Sequence, residues 1–165
     1  MVGAPPLIAN SAAELRAALP DGGVLLGLDL GTRTIGAALS DAGWRFATAF
    51  KTLPRGKFSR DLAALRAIVT ERKVAGIVLG LPLNMDGSEG PRAQSARAYA
   101  RNLAQESGGL GLPVLLWDER WSTASAERDM IAQDISRARR AERIDSHAAA
   151  VFLQAALDAL AGGLF

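Results

Sequence analysis

The order and spacing of the apolar segments constrain the fold more than any other feature of this chain. Three extended segments come first, Val24–Leu30, Thr34–Asp41 and Arg45–Phe50, and only three residues separate each from the next. Links this short favour hairpin turns, so these segments are predicted to form an antiparallel meander. Two continuous apolar runs follow, AGIVLGLP and LPVLLWDER, as expected for strands that helices cover on both faces.

Helical segments alternate with these later strands. In the first of these helices, Leu62, Leu65 and Ile68 have the spacing of one buried face. The second helix begins at Pro91, a residue that suits the first position of a helix. The predicted helices are Phe58–Lys73, Pro91 to about Ser107, Ser122 or Thr123 to about Gln133, and a final helix that Asp145 begins, after a charged linker over residues 134–143. The pattern predicts an α/β fold, a mixed sheet in which a three-strand meander precedes alternating helices and parallel strands, flanked by helices.

A length of 165 residues suits one domain. Ser11 and Glu14 form the capping pattern S-x-x-E, which predicts a short helix that ends by Pro20. We therefore expect residues 1–23 to be an N-terminal extension and residues 24–165 to form the main domain. The sequence has no secretory signal pattern, no apolar run of the ~18 residues that a membrane helix needs, and no cysteine. These features predict a cytoplasmic protein without a membrane partner.

Several chemistries lack the residues that they require. One histidine and no cysteine cannot assemble the usual zinc site of nitrogen and sulfur ligands. The sequence contains no G-x-S-x-G motif of serine hydrolases, no P-loop and no G-x-G-x-x-G pattern of dinucleotide-binding folds. Carboxylate chemistry remains.

Basic residues are concentrated in two places, although the formal net charge is only +2. Seven lie from Lys51 to Lys73, and four arginines lie from Arg137 to Arg143. Such clusters suit a polyphosphate backbone. A solvated helix face and a loop would have the same composition, so charge alone leaves both interpretations open.

Three acidic residues stand where a metal site is expected. Asp29 lies inside the apolar segment GLDLG, where a charge is costly unless it is paired or bound to metal. Glu119 follows an apolar strand, at the end where α/β sheets place ligand sites, and Asp145 begins a predicted helix. Carboxylates brought together repel unless a cation binds them, and oxygen ligands favour Mg²⁺ or Mn²⁺. Two such ions, about 3.5–4 Å apart, would suit phosphoryl displacement.

Each of these acids also has a purely structural explanation. Asp29 could form a turn at the end of its strand, and Asp145 could cap its helix. Glu119 could pair with Arg120 or Arg143 on the surface. Spacing by itself does not join the three carboxylates.

Four segments resemble, in order, the motifs of one family: GLDLGTRTIGAALSD, IVLGLPLNMDGSEG, WDERWSTASAERDM and RIDSHAAAVFLQAAL. From about Val24 onward the chain is similar to the YqgF family, also called RuvX and named for Holliday junction resolution. The resemblance implies a ribonuclease H-like fold and a nuclease that matures the 5′ end of 16S ribosomal RNA precursor or cuts branched DNA. The acidic residues of the family motifs fall on Asp29, Glu119 and Asp145. Trp121 departs from the leucine often found after D-E-R.

Further residues are candidates for the same site. Arg33 and Arg120 could bind phosphates, with an ion pair to a nearby carboxylate as the alternative for each. The linker arginines are predicted to bind the nucleic-acid backbone; they are Arg137, Arg139, Arg140 and Arg143.

A fourth carboxylate is a further possibility. Asp41, Asp86 and Asp118 are the candidates, although Asp41 can end a strand and Asp86 can shape a turn. His147 is a candidate for proton transfer, with a packed or solvated helix position as the alternative. Three tryptophans could stack on bases, although core packing is the better interpretation for the second: Trp44, Trp117 and Trp121.

Other functions stay open at this point. GLDLGTRT also resembles the first phosphate-binding motif of actin-like ATPases, but those proteins need two facing domains and this chain has one copy of the motif. A nucleic-acid-binding module without catalysis is the other alternative. Three carboxylates would weaken its binding to phosphates. No base-reading motif chooses between ribosomal RNA precursor and branched DNA. A junction resolvase is expected to be a symmetric dimer, and for this chain we expect a monomer.

Overall fold

A six-stranded mixed sheet forms the centre of the computed structural model, with helices on both faces. The structure describes residues 7–121 and 137–162, and residues 137–145 by their backbone only. The strands are β1 (Ile8–Ala9), β2 (Val24–Leu30), β3 (Thr34–Ser40), β4 (Ala47–Pro54), β5 (Val74–Leu81) and β6 (Val114–Asp118). The helices are α1 (Ala12–Ala18), α2 (Phe58–Arg72), α3 (Pro91–Ala104) and α4 (Arg137–Gly162), and a 3-10 helix spans Glu119–Trp121.

The strands follow the order β1-β6-β5-β2-β3-β4. β2, β3 and β4 form an antiparallel meander, whereas β5 pairs parallel with β2, β6 with β5 and β1 with β6. The predicted α/β fold, with a meander followed by parallel strands, is confirmed. β2 lies between β3 and β5, which places the segment GLDLG in the middle of the sheet.

The side chains of β2 alternate between two cores. Leu26 and Leu28 pack under α2 and α3. Leu25 packs on the opposite face, under α1 and α4. Because successive strand residues point to opposite faces, Gly27 and Asp29 share the α4 face with Leu25. The large side chains of the core under α4 are Trp117, Phe152, Leu153 and Leu157.

The third strand of the meander continues further than the sequence predicted. β4 runs to Pro54, whereas the prediction ended at Phe50. The register shifts between Ala37, which pairs with Lys51, and Ala38, which pairs with Ala49, so Phe50 is the extra residue of a β-bulge. The bulge and the polar residues after it hid the continuation of this strand.

The start of the last helix also differs from the prediction. α4 includes Arg137 to Arg143 as helix, so the predicted charged linker is wrong for these residues, and Asp145 lies inside the helix rather than at its start. The segment is made of arginine, alanine and glutamate, which favour helix, and it has no glycine or proline. The helix predicted over 122–133 lies outside the described residues. Although α4 has 26 residues, no helix in the described ranges is long and apolar enough to cross a membrane.

The N-terminal segment joins the same sheet and core. β1 pairs with β6, and Leu15 of α1 is fully buried beside α4 residues. Ser11 caps α1, since its Oγ accepts a hydrogen bond from the backbone N–H of Glu14 at 3.2 Å. The Glu14 carboxylate accepts from the N–H of Asn10 at 2.9 Å, one residue before the position of a standard capping box.

Gly27 lets α4 approach the middle of the sheet. A Cβ atom at this position would lie 3.1 Å from Cβ of Leu153 and 3.3 Å from the carbonyl oxygen of Ala149. The latter atom belongs to the helix backbone, so it cannot move without shifting the helix. The backbones of α4 and β2 are therefore in close contact at Gly27.

We predict that Gly27→Val lowers the free energy of unfolding by about 2–3 kcal/mol, because the added methyl groups overpack this contact. Urea denaturation measures the change. Gly56→Ala is the matched control, since the nearest side-chain atom to its Cβ would be 4.0 Å away. Equal stability of the two variants would show that α4 does not pack closely on β2.

Candidate active site

Asp29 is a buried carboxylate in the central strand. Asp29 is 3% exposed, and it pairs with Gly36 of β3. On the other side β2 pairs Leu28 with Leu79, which puts Gly80 of β5 beside Asp29. Both glycines lie on the α4 face with Asp29. The carboxylate is therefore flanked on its own face by two residues without side chains.

Glu119 follows β6 and begins the 3-10 helix. Its side chain lies over Gly80, because a Cβ on this glycine would be 2.7 Å from Oε1 of Glu119 and 3.0 Å from the ring of Phe152. A residue larger than glycine at this position would displace the carboxylate. Gly80 is thus next to Asp29 in the sheet and beneath Glu119, so both acids border the same surface.

Asp145 belongs to the third turn of α4, and its side chain lies outside the described residues. Residues three, four and seven apart share a helix face. Position 145 therefore shares a face with Ala149 and Phe152, which pack on the sheet at Gly27 and Gly80. Its membership in the site stays a prediction.

Asp118 and Arg120 form an ion pair at the same end of β6. Nε of Arg120 donates to both carboxylate oxygens of Asp118 at 3.0 and 3.1 Å, and Nη2 donates to Oδ2 at 2.6 Å. The backbone N–H of Arg120 also donates to Oδ1 at 2.9 Å. The hydrogen bond to Asp118 raises the pKa of the Arg120 guanidinium. Asp118, 4% exposed, therefore shapes the turn that carries Glu119.

Arg120 also reaches the loop between β5 and α3. Its Nη1 donates to the carbonyl oxygen of Met85 at 3.3 Å. In this loop Oδ1 of Asp86 accepts from the N–H of Ser88 at 2.9 Å and from its Oγ at 2.6 Å. The hydroxyl hydrogen bond is the main reason that the pKa of Asp86 is lowered. Asp86 thus shapes its turn, as the structural interpretation of this residue predicted.

Asp41 lies away from the other carboxylates. It follows β3 at the end opposite the Asp29 site, five residues beyond Gly36, which is roughly 17 Å at strand spacing. Its Oδ1 accepts from the N–H groups of Phe46 and Arg45, both at 2.8 Å. The bond from Phe46 is the main cause that lowers the pKa of Asp41. As a fourth carboxylate of the Asp29 site, Asp41 is therefore wrong.

The remaining candidates have different environments. Arg33 is exposed and forms no ion pair within the described part of the chain, whereas His147 is half-buried on α4. Trp44 donates from Nε1 to the carbonyl oxygen of Gly23 at 2.7 Å, which anchors a turn. Trp117 is buried and meets the half-exposed Trp121 edge to face, with ring centroids 5.1 Å apart.

Comparison with known proteins decides the family. A family model described as RuvX, Holliday junction resolvase, matches residues 23–159. The chain belongs to the RuvX family. A relative from Novosphingobium aromaticivorans is 66% identical over 159 residues, which cover 96% of this chain and 100% of that protein. One from Sphingopyxis alaskensis is 64% identical and covers 93% and 99% of the two chains. Both are named "Putative pre-16S rRNA nuclease".

Solved structures support the fold of this RuvX family member. RuvC of T. thermophilus in complex with a Holliday junction substrate matches with a TM-score of 0.55 and 14% identity, over 86% of this chain and 98% of that one. At this identity the likeness concerns the fold, which is ribonuclease H-like. The predicted family and fold are therefore confirmed.

Gly36 and Gly80, which border the carboxylates from neighbouring strands, were not predicted from the sequence. Gly36 and Gly80 each interrupt a predicted apolar strand, and a glycine there signals a close approach. Their place beside Asp29 depends on strand register, which the sequence does not give.

We predict that Arg120→Gln lowers the free energy of unfolding by about 2 kcal/mol, because the buried Asp118 loses its charged partner. Adding Asp118→Asn should restore part of the loss, since no buried charge remains. Urea denaturation of the two single variants and the double variant gives the coupling. Arg60→Gln, at an exposed position in α2, is the control. Additive effects of the two substitutions would contradict the pairing.

Proposed function

We propose that this protein is a metal-dependent nuclease that hydrolyses phosphodiester bonds at Asp29, Glu119 and Asp145. The observation that supports the proposal most is the placement of two carboxylates around one glycine in the sheet. Asp29 is buried beside Gly80, and Glu119 lies over the same residue. Membership of a family described as a Holliday junction resolvase gives the reaction class, a hydrolase that acts on nucleic acid.

The residues present fit a divalent cation. Nucleases with this fold use divalent metal ions, and an all-carboxylate donor set suits Mg²⁺ or Mn²⁺, with two ions expected. Asp29, Glu119 and Asp145 would hold them. When bound, the metal stabilises negative charge on the reacting phosphate and lowers the pKa of a bound water. Among the described residues no group of three acidic or histidine side chains forms a metal site by itself, which makes the side chain at position 145 necessary to the proposal.

The chain's own residues prepare the site in three ways. Gly80 leaves space for the Glu119 carboxylate next to Asp29. The Asp118–Arg120 pair fixes the turn from which Glu119 projects. The first turns of α4 present arginines just before position 145, which we propose bind the substrate backbone; they are Arg137, Arg139, Arg140 and Arg143.

The proposed substrate is the precursor of 16S ribosomal RNA, cut near its 5′ end in the cytoplasm. Relatives at 66% and 64% identity over nearly the whole chain carry names with this substrate. Cutting one strand needs one carboxylate cluster, so a monomer suffices. Branched DNA is the second candidate, since the family model is described as a Holliday junction resolvase. Two coordinated cuts would then require a two-fold assembly.

Asp29→Asn tests the metal site. The variant should stay folded and lose Mg²⁺- or Mn²⁺-dependent cleavage, because a neutral amide holds a divalent cation poorly. Removal of a buried charge should keep or raise the melting temperature in metal-free buffer. The measurements are gel-based cleavage and thermal denaturation with and without metal. Asp21→Asn, exposed beyond the opposite end of β2, is the control. Cleavage by Asp29→Asn at the wild-type rate would refute the site.

The choice of substrate is tested by direct competition. We expect an RNA from the 5′ flank of the precursor to be cut faster than a four-way DNA junction, at equal concentration with Mn²⁺. The mass of the protein in solution is measured in the same buffer, and we expect a monomer. A stable dimer that nicks junctions symmetrically and leaves the RNA intact would replace the first substrate with the second.

A further inference from the structure

A pocket lies at the C-terminal end of β2, on the face opposite Asp29. Its volume is about 190 Å³, and Gly31 and Thr32 form one wall. The first turn of α3 forms the other wall, with Arg92 and Ser95, and Arg55 closes one side. Leu30, which directly follows Asp29, also lines it. The pocket therefore adjoins the proposed active site along the chain without sharing its carboxylates.

The polar groups of this pocket carry positive charge. Arg55 donates from Nη1 to the carbonyl oxygen of Gly31 at 2.7 Å and from Nη2 to Oγ of Ser95 at 3.4 Å. Arg92 donates from Nη2 to the carbonyl oxygen of Leu30 at 3.4 Å. Among the side chains that the structure describes, no carboxylate lies within 4 Å of either guanidinium. Two cations thus share a small cavity without an ion pair.

Arg55 is held in place from beneath. Its guanidinium lies over the ring of Tyr99, 5.4 Å from the centroid. The Tyr99 hydroxyl donates to Oδ2 of Asp61 at 3.0 Å, and Oδ1 of Asp61 accepts from the N–H of Gly56 at 2.9 Å. Asp61 is 2% exposed, and burial raises the pKa of the Tyr99 hydroxyl, which keeps it a donor. The buried carboxylate of Asp61 therefore positions both the Tyr99 ring under Arg55 and Gly56, the residue that follows Arg55.

The ligand that fits such a pocket is a phosphate ester. Arginine forks match phosphate oxygens, and Ser95 and Thr32 add hydroxyl donors at the rim. The start of α3 adds unpaired backbone N–H groups, because Gly90 caps the helix without a side-chain hydrogen bond. A carboxylate ligand would use the same donors less fully, since its two oxygens lie in one plane, whereas the oxygens of a phosphate are arranged tetrahedrally.

We propose that the Arg55–Arg92 pocket binds one phosphate group of the nucleic-acid substrate, apart from the scissile phosphate. This assignment rests on the proposed nuclease function, because the substrate strand must cross the end of β2 to reach Asp29. The phosphate is either an internal diester of the backbone or the monoester at a 5′ end. Each has at least two non-ester oxygens that the two guanidinium groups can bind.

Binding is measured by fluorescence anisotropy with a labelled RNA from the precursor's 5′ flank, in EDTA so that no metal links phosphate to the carboxylates. Arg92→Gln should weaken binding about tenfold at low salt, as for the loss of one charge-assisted contact. The slope of log K against log salt should fall by about 0.7–0.9. Arg55→Lys, which keeps the charge and loses the planar fork, should also weaken binding.

Arg101→Gln is the matched control, since Arg101 is exposed on the same helix and does not line the pocket. It should change affinity less than twofold. If Arg92→Gln binds the RNA as the control does, the pocket is not a phosphate site. RNAs with a 5′-phosphate and with a 5′-hydroxyl identify the source. An effect on both indicates an internal phosphate, and an effect on the first alone indicates the terminal one.

The same variants separate this proposal from the proposed function. If the wild-type protein binds RNA through Arg92 but cuts no nucleic acid with any divalent metal, the proposed nuclease function is refuted and the proposed phosphate pocket is retained. Normal cleavage by the wild type, with RNA affinity and KM unchanged in Arg92→Gln, would refute the pocket and keep the nuclease.

Discussion

The rest of the structure depends on the close packing of α4 against the middle of the sheet. The contact uses Gly27 and Gly80, where α4 comes within van der Waals distance of the strands. Alanines and larger apolar residues share the buried face of the helix, and Leu153 and Phe152 lie over Gly27 and Gly80. The contact between α4 and the sheet thus completes the core on this face. It also sets the distance of position 145 from β2, which carries Asp29, and from β6, which Glu119 follows.

The three aspartates that are buried in the described part of the chain have different surroundings. Asp118 is neutralised by Arg120, and Asp61 is held by a tyrosine hydroxyl and a backbone N–H. In both cases the protein supplies donors that fix a turn. Asp29 lies between Gly36 and Gly80, and the side chain over Gly80 belongs to a second acid, Glu119. Two neighbouring carboxylates repel each other, which favours the binding of a cation more than it favours stability.

Sequence alone gave the fold class because apolar continuity and short links determine strand type and pairing. Val24–Leu30, Phe58–Lys73 and the start of α3 at Pro91 agree with the structure within a residue. The errors came where local composition misled. Arg137 to Arg143 look like a charged loop but form helix, because charge density does not oppose helix when every residue favours it. The bulge at Phe50 concealed half of β4.

Part of the candidate active site could be predicted from the sequence. Asp29 and Glu119 stand out in sequence because they interrupt or end apolar strands. The glycines around them and the Asp118–Arg120 pair depend on register and on a tight turn, which no spacing rule provides. Arg55 and Arg92 are 37 residues apart and approach only because β4 returns beside the start of α3.

The pairing of β1 with β6 has a consequence for how the chain folds during synthesis. Ile8 pairs with Val114, 106 residues later, so β1 waits for a strand that is made much later. Until β6 emerges from the ribosome, Leu15 and its neighbours in α1 lack the surface that buries them. At about 5–20 residues per second this delay lasts several seconds or longer. The N-terminal segment therefore docks late, and Leu15 stays unburied on the nascent chain until then.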